Sequence, residues 1–159
     1  MALGNLDVHH VGVVVGDLDV SMQQISADTG VTWAPVMERA QRIRTADDEV
    51  AVEHLRFTYS REGTPHIELL ESREQRFWRP GPAGTLHHLG SFASDLLGDS
   101  ARLATGGLPV EFGGGERERP VGFVYHVGAV GVRIELIDGS RKQDFERWLA
   151  GGRLAEATA

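Results

Sequence analysis

Two histidines and two glutamates stand at matched places in this chain: His10 and Glu68, then His88 and Glu135. Imidazole nitrogens and carboxylate oxygens are donors that hold a divalent cation. Four of them leave two positions of an octahedral ion for water or substrate. The matching comes from an internal repeat. Residues 9–18 read His-His-Val-Gly-Val-Val-Val-Gly-Asp-Leu and residues 87–96 read His-His-Leu-Gly-Ser-Phe-Ala-Ser-Asp-Leu, identical at five positions with a constant offset of 78. Each copy is followed by a second shared segment, His66-Ile67-Glu68-Leu69-Leu70-Glu71 and then Arg133-Ile134-Glu135-Leu136-Ile137-Asp138. A lone buried histidine is usually a hydrogen-bonded core residue, and a glutamate in an alternating strand usually faces solvent. Surface patterning does not readily produce four matched residues in both halves, so the repeat favours a metal site.

Strand alternation decides which of these residues can meet. His10 shares a face with Val8, Gly12 and Val14, and His88 with Leu86, Gly90 and Phe92. His9 and His87 point the other way; a shift of register by one would make them the ligands instead. Glu68 shares a face with His66 and Leu70, and Glu135 with Arg133 and Ile137. Pairing the first and last strands of each half brings His10 to Glu68 and His88 to Glu135. Gly12 and Gly90 are expected to leave room for a ligand beside the metal. His66 and Arg133 are expected at the cavity mouth, where Arg133 would hold a substrate carboxylate or phosphate. The competing reading of Arg133 is a rim residue paired with an acidic neighbour.

The elements that must position these residues follow from pattern. Val8–Val15 reads as a buried strand, Asp17 as the cap of a helix from about Leu18 to Ala27, and Gly30 as its stop. Residues 31–45 read as one or two extended segments, and Val50–Tyr59 and Thr64–Glu71 as strands, giving βαβββ. The second half repeats the order: a strand at 85–93, a helix from Asp95 to about Thr105, and strands near 108–112, 121–127 and 131–138. Gly113-Gly114-Gly115 reads as a flexible turn and not as a phosphate loop, since no helix follows. A last helix spans about Arg141–Leu149 with Phe145, Trp148 and Leu149 on one side, and residues 151–159 look frayed. The expected organisation is one α+β domain over 1–159: modules at 6–71 and 85–138, a linker at 72–84, and a helix and tail at 139–159. The tandem βαβββ modules would form one curved mixed sheet around a shared cavity, where a small-molecule substrate would sit. The linker at 72–84 and the apolar side of the last helix, which needs cover, point to a homodimer.

Composition excludes several classes. A net charge of −7 argues against nucleic acid. No run approaches the ~18 apolar residues of a membrane span, and the N-terminus lacks the pattern of a signal peptide. The absence of cysteine removes disulfides, thiolate metal sites and cysteine nucleophiles, and fits a cytoplasmic protein.

At the His-aliphatic-Gly…Asp-Leu pattern and the Glu-Leu-aliphatic strands, the chain resembles the vicinal oxygen chelate superfamily. That superfamily includes glyoxalase I, methylmalonyl-CoA epimerase, bleomycin-resistance proteins and extradiol dioxygenases. The resemblance covers about residues 6–138 and implies the glyoxalase/bleomycin resistance/dioxygenase fold. In its metal-dependent members the ligand is the histidine directly before the aliphatic-Gly pair, which carries over to His10 and His88. The carboxylate ligands carry over to Glu68 and Glu135. The ion would be one divalent metal of the set Co, Mn, Ni, Zn, Mg or Fe. The implied chemistry is electrophilic: the metal binds an oxygen next to a carbonyl and stabilises an enolate or alkoxide while a base moves a proton. Length and the Leu-His-His-Leu-Gly segment look most similar to the methylmalonyl-CoA epimerase and glyoxalase group, acting on an acyl-CoA or 2-oxo substrate as epimerase, isomerase or lyase.

One departure bears on the base. Such epimerases carry a second glutamate in a stretch resembling Pro-Glu-Gln-Gly-Val, where this chain has Asp47-Asp48-Glu49-Val50. The expected proton carrier is Glu135, doubling as ligand, with Glu49 and His126 as the other candidates and Glu53 near the same strand start. A metal-free binding or antibiotic-resistance protein of the same fold is the alternative function, and a ring-cleaving dioxygenase a further one.

Overall fold

Asp17 and Asp95, the aspartates of the two repeat copies, each cap a helix. Asp17 accepts from the Val20 amide at 2.9 Å and Asp95 from the Gly98 amide at 3.0 Å. The first helix ends at Gly30, which adopts the left-handed conformation that favours glycine, with φ 79°. The computed structural model describes residues 6–80 and 85–157. Its elements run β1 (His10–Val15), α1 (Leu18–Thr29), β2 (Met37–Thr45), β3 (Val50–Tyr59), β4 (His66–Glu71), β5 (Leu86–Ala93), α2 (Leu96–Thr105), β6 (Val110–Glu116), β7 (Arg119–Val127), β8 (Arg133–Asp138), a 3-10 turn (Gly139–Arg141) and α3 (Lys142–Leu149). Both halves are therefore βαβββ.

The eight strands form one mixed sheet in the order β1-β4-β3-β2-β6-β7-β8-β5. Within each half the first and last strands pair in parallel, β1 with β4 and β5 with β8, and the halves join through antiparallel β1 and β5. The expected curved sheet closes on itself: β2 meets β6 through Arg44↔Gly113 and Thr45↔Phe112, completing a barrel. Aromatic residues at alternate positions fill it. Phe57, Tyr59, Phe112, Phe123 and Tyr125 belong to one buried cluster with Trp78 and Trp148. On the outer side, α2 covers a second cluster of Ala93, Leu96, Val124 and Leu136.

Four details differ from expectation. Gly113-Gly114-Gly115 lies inside β6 and not in a turn. Its pairing with β7 leaves no space for side chains: a Cβ on Gly114 would sit 2.2 Å from the Val121 carbonyl oxygen. The linker is not a spacer over its described part. The Glu53 carboxylate accepts from the amides of Arg76 and Phe77 at 2.8 and 3.4 Å, which turns Phe77 and Trp78 onto Phe112; residues 81–84 lie outside the described residues. The apolar side of α3 is covered by the chain itself. Trp148 is fully buried and donates its Nε1–H to the Pro35 carbonyl at 2.8 Å, and Phe145 packs on Tyr59 and Phe92. That removes the helix face as a ground for a homodimer. The tail is not frayed through its described part either: Leu154 joins the main core, while residues 158 and 159 lie outside the described residues. No helix among the described residues is long and apolar enough to cross a membrane.

Candidate metal centre

The register of β1 against β5 puts His10 opposite Gly90 and Gly12 opposite His88. Each imidazole thus lies over the glycine of the other half and passes through to the barrel interior. The same face of β4 carries Glu68, opposite Gly12, and β8 carries Glu135, opposite Gly90. All four residues are buried and offer donor atoms within 4.8 Å of one another. His10 Nε2 lies 2.8 Å from His88 Nε2, 2.9 Å from Glu135 Oε2 and 3.4 Å from Glu68 Oε2. His88 Nε2 lies 2.8 Å from Glu68 Oε2 and 3.4 Å from Glu135 Oε2. These spacings match adjacent ligands about an ion with bonds of about 2.1 Å, which stand roughly 3 Å apart. The two carboxylate oxygens Glu68 Oε2 and Glu135 Oε2 are sealed from water and make no hydrogen bond of normal geometry. Two buried carboxylate oxygens set among imidazole nitrogens are costly without positive charge between them, so the residues present fit a cation.

The first histidine of each pair holds the second. His87 Nε2 donates to the Phe77 carbonyl at 2.7 Å, because a carbonyl only accepts. Burial and the neighbouring His88 push the His87 pKa down to about 3, so its ring is neutral and its Nδ1 accepts. His88 Nδ1 lies 2.9 Å from it and must be the donor, which leaves His88 Nε2 aimed at the cluster. In the first half, His9 Nδ1 lies 3.3 Å from His10 Nδ1, and burial with the charges of His10 and His66 puts the His9 pKa at about 3. His9 and His87 are thus placed behind the cluster and not in it.

Burial acts against charge on His10 and His88, but the hydrogen bonds and charges of Glu135 and Glu68 outweigh it. The His88 pKa rises to about 9, and that of His10 is raised. Burial likewise pushes the two glutamates up, and the imidazoles of His10 and His88 bring both below the usual carboxylate range. Without an ion, the carboxylates of Glu68 and Glu135 and the imidazoles of His10 and His88 offset one another's burial.

A small, partly open cavity lies on this cluster, lined by Glu68, Glu135, Tyr59, Phe57, Ile137 and Phe145 among others. A second groove lies at β6 and α2 and holds none of the four residues.

The model of the Glyoxalase/Bleomycin resistance protein/Dioxygenase superfamily matches residues 9–125. The chain belongs to that superfamily. Solved structures similar to it include a methylmalonyl-CoA epimerase in complex with methylmalonyl-CoA and ammonium, at 18% identity and TM-score 0.60, covering 85% of this chain and 95% of that one. The methylmalonyl-CoA epimerase from Mycobacterium tuberculosis matches at 21% and 0.56, covering 86% and 92%. A variant of the Streptomyces coelicolor epimerase in complex with 2-nitronate-propionyl-CoA matches at 18% and 0.60, covering 86% and 96%. At these identities the likeness speaks to fold. No curated protein matches the chain in sequence.

Four expected site residues of this superfamily member lie elsewhere. Glu49 is exposed and pairs with Arg76 at 2.8 Å, because it sits in the turn before β3 and outside the barrel. His126 faces α2: its Nδ1 donates to the Leu108 carbonyl at 2.8 Å and its Nε2 accepts from Ser100 Oγ at 3.0 Å. Arg133 forms a two-pronged pair with Glu111, Nε to Oε2 at 2.5 Å and Nη2 to Oε1 at 2.9 Å, so its fork is already filled. His66 Nδ1 donates to the Ser60 carbonyl at 2.7 Å and its ring lies against His9. The glycine expectation also changes, since the space over Gly12 and Gly90 is occupied by the imidazoles of His88 and His10.

Two tyrosines were missed. Tyr59 pairs across strands with Glu68, and Tyr125 with Glu135. The Tyr59 hydroxyl lies 3.3 Å from His10 Nε2, and the Tyr125 ring packs edge-on to His88 at 5.1 Å. Burial, then the negative Glu68 and Glu135, raise both phenol pKa values, so both stay protonated. Phe57-Thr58-Tyr59 and Phe123-Val124-Tyr125 are a further repeated triplet that would have pointed to them.

The placement of His126 gives a first prediction. Burial lowers its pKa below 6.5, against a smaller upward pull from the Leu108 carbonyl. Its contribution to stability is therefore present above the unfolded value and lost as pH falls through the folded one. His126→Gln should flatten the loss of stability in urea unfolding between pH 7 and pH 5 and leave metal content unchanged. A metal content that drops with this substitution would return His126 to the site.

Proposed function

We propose that this member of the superfamily is a divalent-metal-dependent enzyme that moves a proton on the carbon beside a carbonyl, as an epimerase, isomerase or glyoxalase-type lyase. The reading is carried by one observation: four buried donors from two repeated halves converge on one point at the floor of a cavity. His10, Glu68, His88 and Glu135 would hold the ion. The ion would act there as a Lewis acid toward a substrate oxygen. Glu135, whose carboxylate lines the cavity, takes the proton from the carbon, and the electron pair moves toward the carbonyl oxygen. Return of the proton to the other face of that carbon gives an epimer; return at a neighbouring atom gives an isomer. Tyr59 lines the same cavity and stays protonated, so its hydroxyl is a hydrogen-bond donor for charge that develops on the substrate oxygen. Phe57, Ile137 and Phe145 supply apolar wall beside the reacting groups. The structural likeness to epimerases described with acyl-CoA ligands supports acyl-CoA thioesters, along with 2-oxo acids, as the substrates to try.

In deuterated water, metal-loaded protein should place deuterium at the α-carbon of one member of an acyl-CoA and 2-oxo acid panel, read by proton NMR. Glu135→Gln should reduce the exchange by at least ~100-fold, the lower end for a general base. Oxygen uptake with a catechol and no exchange in the panel would replace this reading with the dioxygenase. Absence of bound metal would favour a binding protein of the same fold.

A further inference from the structure

The cavity above the cluster also carries unpaired positive charge. Arg39 of β2 and Arg141 of the 3-10 turn line it together with Glu68, Glu135 and Tyr59. Arg39 Nε is sealed from solvent and has no hydrogen-bond partner. Four such sealed side-chain atoms without a hydrogen bond of normal geometry occur among the described residues, and three of them, Arg39 Nε, Glu68 Oε2 and Glu135 Oε2, belong to residues that line this one cavity. Arg141 is buried and gives one Nη2 hydrogen bond to the Ala155 carbonyl. Among the described residues neither guanidinium has a carboxylate within ion-pair distance, whereas Arg56, Arg73, Arg76 and Arg133 each hold one at 2.5–3.1 Å. Each lies over an aromatic ring instead, Arg39 5.4 Å from the Phe57 centroid and Arg141 5.7 Å from that of Phe145. Rings of this kind orient a guanidinium without neutralising it.

Charge decides what belongs there. Burial, and then repulsion from Arg39, pulls the Arg141 pKa down, so the two cations feel each other. Glu156 of the tail acts on Arg39 from beyond contact, as do Tyr59, Glu68 and Glu135; Asp138 and Asp144 act likewise on Arg141. A divalent ion at the cluster would cancel the charges of Glu68 and Glu135. Two guanidinium charges would then remain in a cavity with aromatic and aliphatic walls, and such a place favours an anion held by charge-assisted hydrogen bonds.

We infer that Arg39 and Arg141 form an oxoanion subsite, and that the substrate carries a carboxylate or phosphate on the arm away from the four-residue cluster. The assignment of this anion to the substrate of a proton-transfer enzyme rests on the reading above; the anion contact itself does not need the metal. The substrate class becomes a small carbonyl compound with a second, anionic end.

The test is a titration of metal-free protein with ¹⁵N-labelled arginine, following the Arg39 and Arg141 Nε–H signals by NMR. The probes are succinate, inorganic phosphate and the neutral succinamide. Saturable movement of the Arg39 signal with succinate or phosphate, and none with succinamide, is expected; the tighter of the two probes tells carboxylate from phosphate. Arg39→Gln and Arg141→Gln should each weaken that probe by about tenfold or more, the loss of one charge-assisted contact. Arg39→Lys and Arg141→Lys, which keep the charge and lose the fork, should weaken it less. Signals that ignore all three probes, or that move as much with succinamide, overturn the subsite, and the wild-type titration gives that answer even if a variant does not fold. Because no metal is present, failure of the metal reading leaves this result standing, and failure here leaves the metal reading standing.

Discussion

His88→Ala should strip the protein of its ion. Wild-type protein loaded with a divalent metal and desalted should retain about one ion per chain by elemental analysis, since the two halves supply one four-donor set. The loss in affinity should exceed the ~10–100-fold expected for the outer partner alone, which is what His87→Phe should show. His10→Ala should behave as His88→Ala does. Glu135→Gln preserves side-chain volume, removes one charge, and should also lose the ion. In the metal-free state His88→Ala leaves Glu68 and Glu135 with one imidazole between them. That should cost about 3–5 kcal/mol in urea unfolding, the penalty for an uncompensated buried charge. Full occupancy in both His10→Ala and His88→Ala would sink the assignment and turn attention to His9 and His87.

Gly12→Ala and Gly90→Ala should be nearly as damaging, though neither glycine is a ligand. A Cβ at Gly12 would sit 2.0 Å from His88 Cε1, and one at Gly90 1.9 Å from His10 Cε1. No non-bonded neighbour tolerates that approach, so either the ring or the β1–β5 pairing must shift. Overpacking of this kind costs about 1–3 kcal/mol and sometimes more. The displaced imidazole should no longer aim Nε2 at the cluster, so metal content should fall along with stability. Gly16→Ala is the control, because a Cβ there meets nothing within 4 Å. Wild-type stability and metal content in Gly12→Ala would show that the imidazoles do not pass over the glycines as described.

The two glycines also show how far local pattern reaches. Their position two residues after each histidine marked them as special, yet they read as space for a ligand. Only the antiparallel register of β1 and β5 revealed that each makes space for the other half's histidine. His87 taught a similar lesson. Alternation sends it away from His88, yet its ring nitrogen lies 2.9 Å from His88 Nδ1, at the place where the pairing of β1 and β5 shifts register.

What the chain determined by itself was whatever repeats at short range. The spacing His…Glu in each half, the alternation that puts His10 and Glu68 on inner faces, and the aspartates that start α1 and α2 are all local, and each is written twice. Tertiary structure alone decided the rest. Glu111 lies 22 residues from Arg133 and fills its fork. Glu53 draws the linker onto Phe112, and α3 folds Trp148 under Pro35, 113 residues away. Arg39 and Arg141 meet in one cavity only because the sheet closes and the last turn packs across it. Period-two alternation fixes the face of a strand on which a side chain lies. Which residue waits across the barrel depends on how distant segments pack, and no local pattern carries that information.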